Sequence, residues 1–194
     1  GMVVIHDVGD YKDIHPRNKQ EVGRRLALMA LARTYGQKGL VCAGPAYKEI
    51  SIEGGKIRVR FDNVGGGLVA RDGKPLDWFE IIGEENDFFV KAEATIDGDS
   101  VLVSSPEVKQ PTAVRFAWHK EAAPNLMNKE GLPAAAFRAG KVPVRDLMAM
   151  NVPEAKEYTL VYALDLAKAR KEIVYDEDRR AQVAKPFDRI AYFL

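Results

Sequence analysis

Cysteine is almost missing from this chain. Cys42 is the single thiol in 194 residues, which excludes an intramolecular disulfide and a cysteine-rich metal cage. Neither sign of charge is in excess. The 29 Lys and Arg against 28 Asp and Glu leave a net charge of +1, without the basic surplus typical of nucleic-acid binders, so no nucleic-acid partner is expected. No apolar run approaches the roughly 18 residues of a membrane span, and no membrane partner is expected. The opening Gly1-Met2-Val3-Val4-Ile5-His6 is too short, and lacks the basic stretch, to be a secretory signal. Internal repeats and low-complexity segments are absent. What remains is the balance of a globular protein, 46% hydrophobic and 29% charged, with enough apolar material to offset chain entropy. The length suits one domain, or one domain and a piece of another.

Two textures divide the chain. Met2-Val3-Val4-Ile5 is a short apolar run and reads as a buried strand. A polar loop from His6 to Asn18 follows, and then a helix from about Asn18 to Tyr35. Val22, Leu26, Met29 and Ala30 keep helical spacing, while Lys19, Gln20, Arg24 and Arg25 mark a wetter side. Gly36 stands where a left-handed cap would end the helix. Beyond Val41 come short β-rich runs: Tyr47–Ile52, Lys56–Phe61, Trp78–Ile82, Phe88–Ile96, Val101–Ser104 and Thr112–Trp118. Ile57, Val59 and Phe61 alternate with Lys56, Arg58 and Arg60, the period of a strand with one wet face. Gly54-Gly55 and Asp97-Gly98-Asp99 supply hairpin turns. Lys120 to Lys141 reads as loop, Val144–Met150 as a short helix, Tyr158–Leu164 as a strand, and Phe187–Leu194 as a further apolar run. The expectation is an α+β chain, mostly β, with an antiparallel sandwich over roughly Val41 to Trp118 and the strand, loop and helix beside it.

Chemistry concentrates in the first loop. Asp7, Asp10, Asp13 and His15 lie between strand and helix, at the carboxyl end of the strand, where α/β folds place reacting groups. A histidine serves as general base when a carboxylate orients its ring and a nucleophile is in reach. The same residues also describe a solvated acidic loop with one histidine. A metal site has only His6 as a second nearby histidine, so no metal and no cofactor is expected. Gly98-Asp99-Ser100 imitates a serine-esterase motif, but a turn precedes Ser100 and strand residues follow it, so a hairpin is the better account. Trp78, Phe79, Phe88, Phe89, Phe116 and Trp118 offer faces for stacking sugars; as sandwich residues, most are expected in the core.

Asp13 to Gly36 resembles the sialate O-acetylesterases, carbohydrate esterases of the SGNH (GDSL-like) hydrolase superfamily. The resemblance continues through Gly44-Pro45-Ala46-Tyr47, Phe61-Asp62-Asn63-Val64-Gly65-Gly66-Gly67-Leu68 and Phe79-Glu80-Ile81-Ile82-Gly83-Glu84. It runs on through Ala113-Val114-Arg115-Phe116-Ala117-Trp118, Asn125-Leu126 and Gly131-Leu132-Pro133-Ala134, and covers about Gly1 to Gly140. The tail from Val152-Pro153 to Leu194 resembles the start of an extra module in some bacterial members. The resemblance implies that a serine attacks the acetyl ester of an O-acetylated sialic acid, that His15 takes the serine proton, and that backbone amides with Gly and Asn of other blocks hold the oxyanion. It places a bacterial enzyme in the periplasm or outside the cell. The superfamily's usual acid stands three positions before the histidine. That position is Lys12 here, which leaves three alternatives: Asp13, two before, as the orienting acid; Asp10, further back; or no acid, and a Ser-His pair.

The serine block precedes the histidine in this superfamily, and no serine lies before His15. The chain is therefore expected to be the C-terminal part of a longer esterase, inactive alone. Residues 1–40 would close the esterase domain, 41–140 would form the accessory sandwich, and 141–194 would open another module. The helix, deprived of its parallel sheet, would fold on the sandwich or pair with a second copy as a homodimer. The rival reading is a non-catalytic glycan-binding or structural sandwich.

Overall fold

The computed structural model describes residues 1–143, except Tyr11, Ile14 and Asp87, together with the short strands Tyr162–Ala163 and Glu177–Asp178. The chain divides into two compact units, Gly1–Pro143 and Val144–Leu194. In the first unit a helix, α1 (Lys19–Arg33), precedes ten strands: β1 (Ala46–Glu53), β2 (Lys56–Asp62), β3 (Leu68–Ala70), β4 (Phe79–Gly83), β5 (Val90–Lys91), β6 (Glu93–Asp97), β7 (Ser100–Ser104), β8 (Pro111–Phe116), β9 (Leu126–Asn128) and β10 (Phe137–Gly140). Mostly antiparallel β structure with a single described helix is the α+β class read from the sequence.

Two four-stranded sheets, ordered β1-β2-β7-β6 and β10-β8-β4-β5, are antiparallel throughout. Their inner faces share one core. Ile57, Val59 and Phe61 of β2 and Val101 and Val103 of β7 meet Phe79 and Ile81 of β4, Val114 and Phe116 of β8, and Phe137 of β10. The alternation in β2 follows directly from this, because its apolar residues are buried and its charged ones point out. The rings of Phe79, Phe116 and Phe137 pack on one another, with Phe79 and Phe116 centroids 4.5 Å apart. Each such buried side chain contributes about 1.5–3 kcal/mol.

Four local expectations differ from the structure. Met2–Ile5 is not a strand, because no described strand pairs with it and a strand without a ladder is not stable. Phe88–Ile96 breaks at buried Ala92, whose N–H bonds to the Phe79 carbonyl at 2.9 Å. Val90–Lys91 joins one sheet there and Glu93–Asp97 the other. The supposed loop Lys120–Lys141 holds β9, paired with β3, and β10, which edges the second sheet. Of the six aromatic residues, Phe79 and Phe116 are core, whereas Phe88 and Trp118 are exposed.

The segment after β8 is organised by buried asparagines rather than by periodicity. Asn125 and Asp77 exchange side-chain and backbone bonds, the N–H of Asn125 reaching Asp77 Oδ1 at 3.0 Å and the N–H of Asp77 reaching Asn125 Oδ1 at 3.2 Å. Asn125 Nδ2 also donates to Asp72 Oδ1 and to the Pro75 carbonyl, both at 2.9 Å. Fully buried Asn128 accepts from the Leu132 N–H at 2.9 Å and donates to the carbonyls of Ala43 and Asn63. These bonds tie the chain entering β1 to the β9 turn, as buried polar groups require.

In the second unit, β11 (Tyr162–Ala163) and β12 (Glu177–Asp178) form a short antiparallel pair. Tyr162–Ala163 lies within the run Tyr158–Leu164. The rest of that run, and the expected helix at 144–150 and apolar run at 187–194, fall outside the described residues.

Gly44 tests the close approach at the β9 turn. A Cβ there would collide with the Pro133 carbonyl oxygen and stand 2.7 Å from that of Leu132, both backbone atoms. Gly44→Ala is expected to destabilise the first unit by about 1–3 kcal/mol in urea unfolding. Gly98→Ala meets open space and carries only the backbone cost of its positive φ. Equal effects at the two sites would contradict this packing.

Candidate active site

The loop from His6 to Asn18 is built from consecutive side-chain turns. Asp10 Oδ1 accepts the Lys12 N–H at 2.9 Å, and the Asp13 N–H reaches the Asp10 carbonyl at 3.2 Å. Asp13 Oδ1 then accepts the His15 N–H at 2.9 Å. Short carboxylates fold the chain this way because they bond backbone N–H groups two residues on. The loop ends at Asn18, whose side chain accepts the Glu21 N–H at 3.0 Å and caps α1. At the other end Gly36, at φ +69°, closes the helix as the sequence suggested.

The second turn brings a carboxylate to an imidazole. His15 Nδ1 lies 2.9 Å from Asp13 Oδ1, with the His15 side chain 76% exposed. A carboxylate on Nδ1 favours the tautomer with its proton there and leaves Nε2 free to accept one. Asp10, the alternative acid, spends its described hydrogen bonds on the Lys12 and Asp13 backbone instead. The backbone N–H of His15 and then its ring hold the Asp13 carboxyl below the usual aspartate range.

Asp7 has a different task. It forms a two-pronged ion pair with Arg25 of α1, at 2.6 and 2.7 Å. Arg25 also donates to the Val4 carbonyl at 2.7 Å and to Glu21 Oε1 at 2.8 Å. Arg25 is 3% exposed, although its helical position read as solvated. The carboxylates and the carbonyl draw the guanidinium in, while Leu26 beside it is 49% exposed. Arg24, and after it Arg25, lower the Glu21 carboxyl to about 2. His6, next to Asp7, is half-buried; its Nε2 is buried and has no partner among the described residues, and burial lowers its pKa. This pin was not legible in the sequence, since nothing local connects residues 7 and 25.

Among the described residues no group of three or more His, Cys, Asp and Glu stands close enough to share a metal, and no helix is long and apolar enough to cross a membrane. A cleft of about 380 Å³ lies between the end of α1 and the chain at Cys42 and Asn63; His15 and Asp13 are not in its lining. The four serines of the sequence all lie in or beside the first sheet, Ser51 in β1, Ser100 and Ser104 in β7 and Ser105 just after it. Ser100 Oγ donates to the Asp97 carbonyl and accepts from Arg58, both at 2.7 Å, as a hairpin residue. None of the described hydrogen bonds joins a serine to His15.

No protein-family model matches the chain, and no curated protein matches it. Among solved structures, a carbohydrate acetylesterase from Xanthomonas citri is similar at 42% identity and a TM-score of 0.68, over 72% of this chain and 32% of that one. The chain spans about a third of the length of that esterase.

The bond order at Asp13 makes a prediction. The backbone N–H is the larger cause of its lowered pKa, so His15→Ala is expected to raise the carboxyl midpoint only part of the way to the ordinary 3.8, read by carbon NMR. The stabilisation of the turn is present above the ordinary aspartate range and is lost as pH falls through the lowered midpoint. A midpoint fully restored to 3.8 in the variant would contradict the turn.

Proposed function

We propose that this chain is part of a carbohydrate O-acetylesterase in which His15 is the general base and Asp13 its orienting acid. One observation carries the reading: an exposed imidazole with a carboxylate 2.9 Å from Nδ1, in a chain 42% identical to a carbohydrate acetylesterase. In this reading Nε2 of His15 removes the proton of a serine hydroxyl as that oxygen attacks the acetyl carbonyl. The imidazolium returns the proton to the departing sugar oxygen. Water, deprotonated by the same nitrogen, then releases acetate. The serine comes from polypeptide outside these 194 residues, because all four serines present are committed to the sandwich. The chain alone is inactive in this account.

The finer reading is an O-acetylated sialic acid as substrate, which rests on the resemblance of Asp13 to Gly36 and the later motifs to sialate O-acetylesterases. A periplasmic or secreted location rests on the same resemblance. Leu26 and Leu31 on α1 are 49% and 40% exposed, at the two edges of the helix's outward face, which the rest of the esterase would cover. A second copy of the chain on that face is the homodimeric alternative, separable by light scattering across concentration.

Turnover tests the assignment. The isolated chain is expected to hydrolyse p-nitrophenyl acetate no faster than buffer. In the natural reading frame, if it also encodes the serine, His15→Ala should lower kcat by about 10³-fold or more and Asp13→Asn by a smaller factor. Acetate release from an O-acetylated sialoside, set against an acetylated neutral oligosaccharide, reads the sugar. Hydrolysis by the isolated chain that His15→Ala abolishes would overturn the external serine. Full activity of His15→Ala in the natural protein would overturn the base.

A further inference from the structure

The outward face of the second sheet carries an unbalanced row of charge. Arg138 of β10 stands opposite Arg115 of β8, Arg115 opposite Glu80 of β4, and Glu80 opposite Lys91 of β5. Residues paired across antiparallel strands project on one face. This row therefore holds three cations and one carboxylate. Glu80 is committed to Arg115 through two bonds at 2.7 and 2.8 Å. No described carboxylate pairs with Arg138. Two like charges directly opposed across strands are unfavourable, and an anion resting on Arg138 would relieve them.

Aromatic rings frame the same face. The Arg138 guanidinium lies over the Trp118 ring, 5.2 Å from its centroid, and the Arg115 guanidinium lies over Phe89 at 4.4 Å. Trp118 is 48% exposed although it directly follows the core strand. The backbone presents it deliberately. Ala117, at φ +52°, and Trp78, at φ +60°, both sit in the left-handed region, joined by the Ala117 N–H to the Trp78 carbonyl at 3.0 Å. A bulky residue in that region costs of order 1–3 kcal/mol and persists where the surroundings enforce it. The paired kink turns Trp118 toward Arg138, and His119 toward Trp78, whose rings stack at 6.0 Å. Arg138, Trp118, His119 and Trp78 thus line the ends of three adjacent strands, β10, β8 and β4, which span roughly 10 Å at normal strand spacing.

We propose that this face binds a carboxylate-bearing sugar residue of an oligosaccharide, with the carboxylate on Arg138 and the sugar ring against Trp118. A guanidinium flattened on an aromatic ring keeps its N–H edge free, and that fork matches a carboxylate in two bonds. Indole gives a flat apolar surface at little entropic cost. Neutral glycans would gain from Trp118 alone, so the row of cations selects for acidic sugars. The inference uses neither His15 nor any ester chemistry, and its failure leaves the esterase reading untouched.

Calorimetric titration of the full chain with a tri-galacturonate, and with a neutral xylo-oligosaccharide of the same length, tests it. The acidic trisaccharide is expected to bind saturably, weakening with added salt. Arg138→Ala and Trp118→Ala should each weaken it at least tenfold, and Arg138→Lys by less. Both side chains are exposed, and unchanged thermal unfolding of the variants verifies their fold. Arg24→Ala, on the helix, should leave binding unchanged. Equal affinity for the neutral oligosaccharide, absence of saturable binding, or binding that survives both alanine variants would overturn the proposal.

Discussion

The Asp7–Arg25 pair is the constraint on which the candidate site depends. The segment before α1 has no described strand partner, and its apolar residues Val3, Val4 and Ile5 are only half-buried. Its position is set by one guanidinium that gathers the Asp7 carboxylate, the Glu21 carboxylate and the Val4 carbonyl. A charge buried to this degree is costly unless its hydrogen bonds are met, and here the described partners meet them. Removing one partner would leave a charge stranded against protein, which is the steeper loss. The arrangement therefore fixes where the loop leaves the helix more than it adds to net stability. From that fixed start the Asp10 and Asp13 turns carry the chain to His15 and then to the Asn18 cap.

The sandwich stands on different physics. Its stability comes from area removed from water, in a core where three phenylalanines of the second sheet meet the branched residues of β2 and β7. The two parts also differ in wetness. The core residues are closed off, while His15 sits in solvent. Within the sandwich, buried Asn125 and Asn128 hold the β9 segment by bonds that span about fifty to ninety residues of sequence.

What could be read from the sequence followed the range of the interaction. The helix, its Gly36 end and the alternation of β2 are local, and the residues alone disclose them. The turn at Gly98-Asp99-Ser100 was legible for the same reason, since a strand continues directly after it. The Asp13–His15 contact spans two residues and was legible as one of three alternatives, beside Asp10 and a histidine with no acid. Non-local features were hidden. Arg25 is drawn inward by Asp7, eighteen residues away. Residues Leu126–Asn128 form a strand only because β3 lies alongside. Met2–Ile5 looked like a strand because it is apolar, but apolarity supplies no ladder. The kink at Trp78 and Ala117, which exposes Trp118, requires two chains side by side and leaves no mark in either alone.

Hydrogen exchange on Arg25→Met measures the pin directly. The side chain keeps its length and loses its charge, so packing along the helix is largely retained. The account predicts that amides between Val4 and Asn18, and those of the first turn of α1, lose protection, while those of β2, β7 and β8 keep theirs. Protection of the loop equal to that of the unaltered protein, or a uniform loss that includes the sandwich strands, would contradict it.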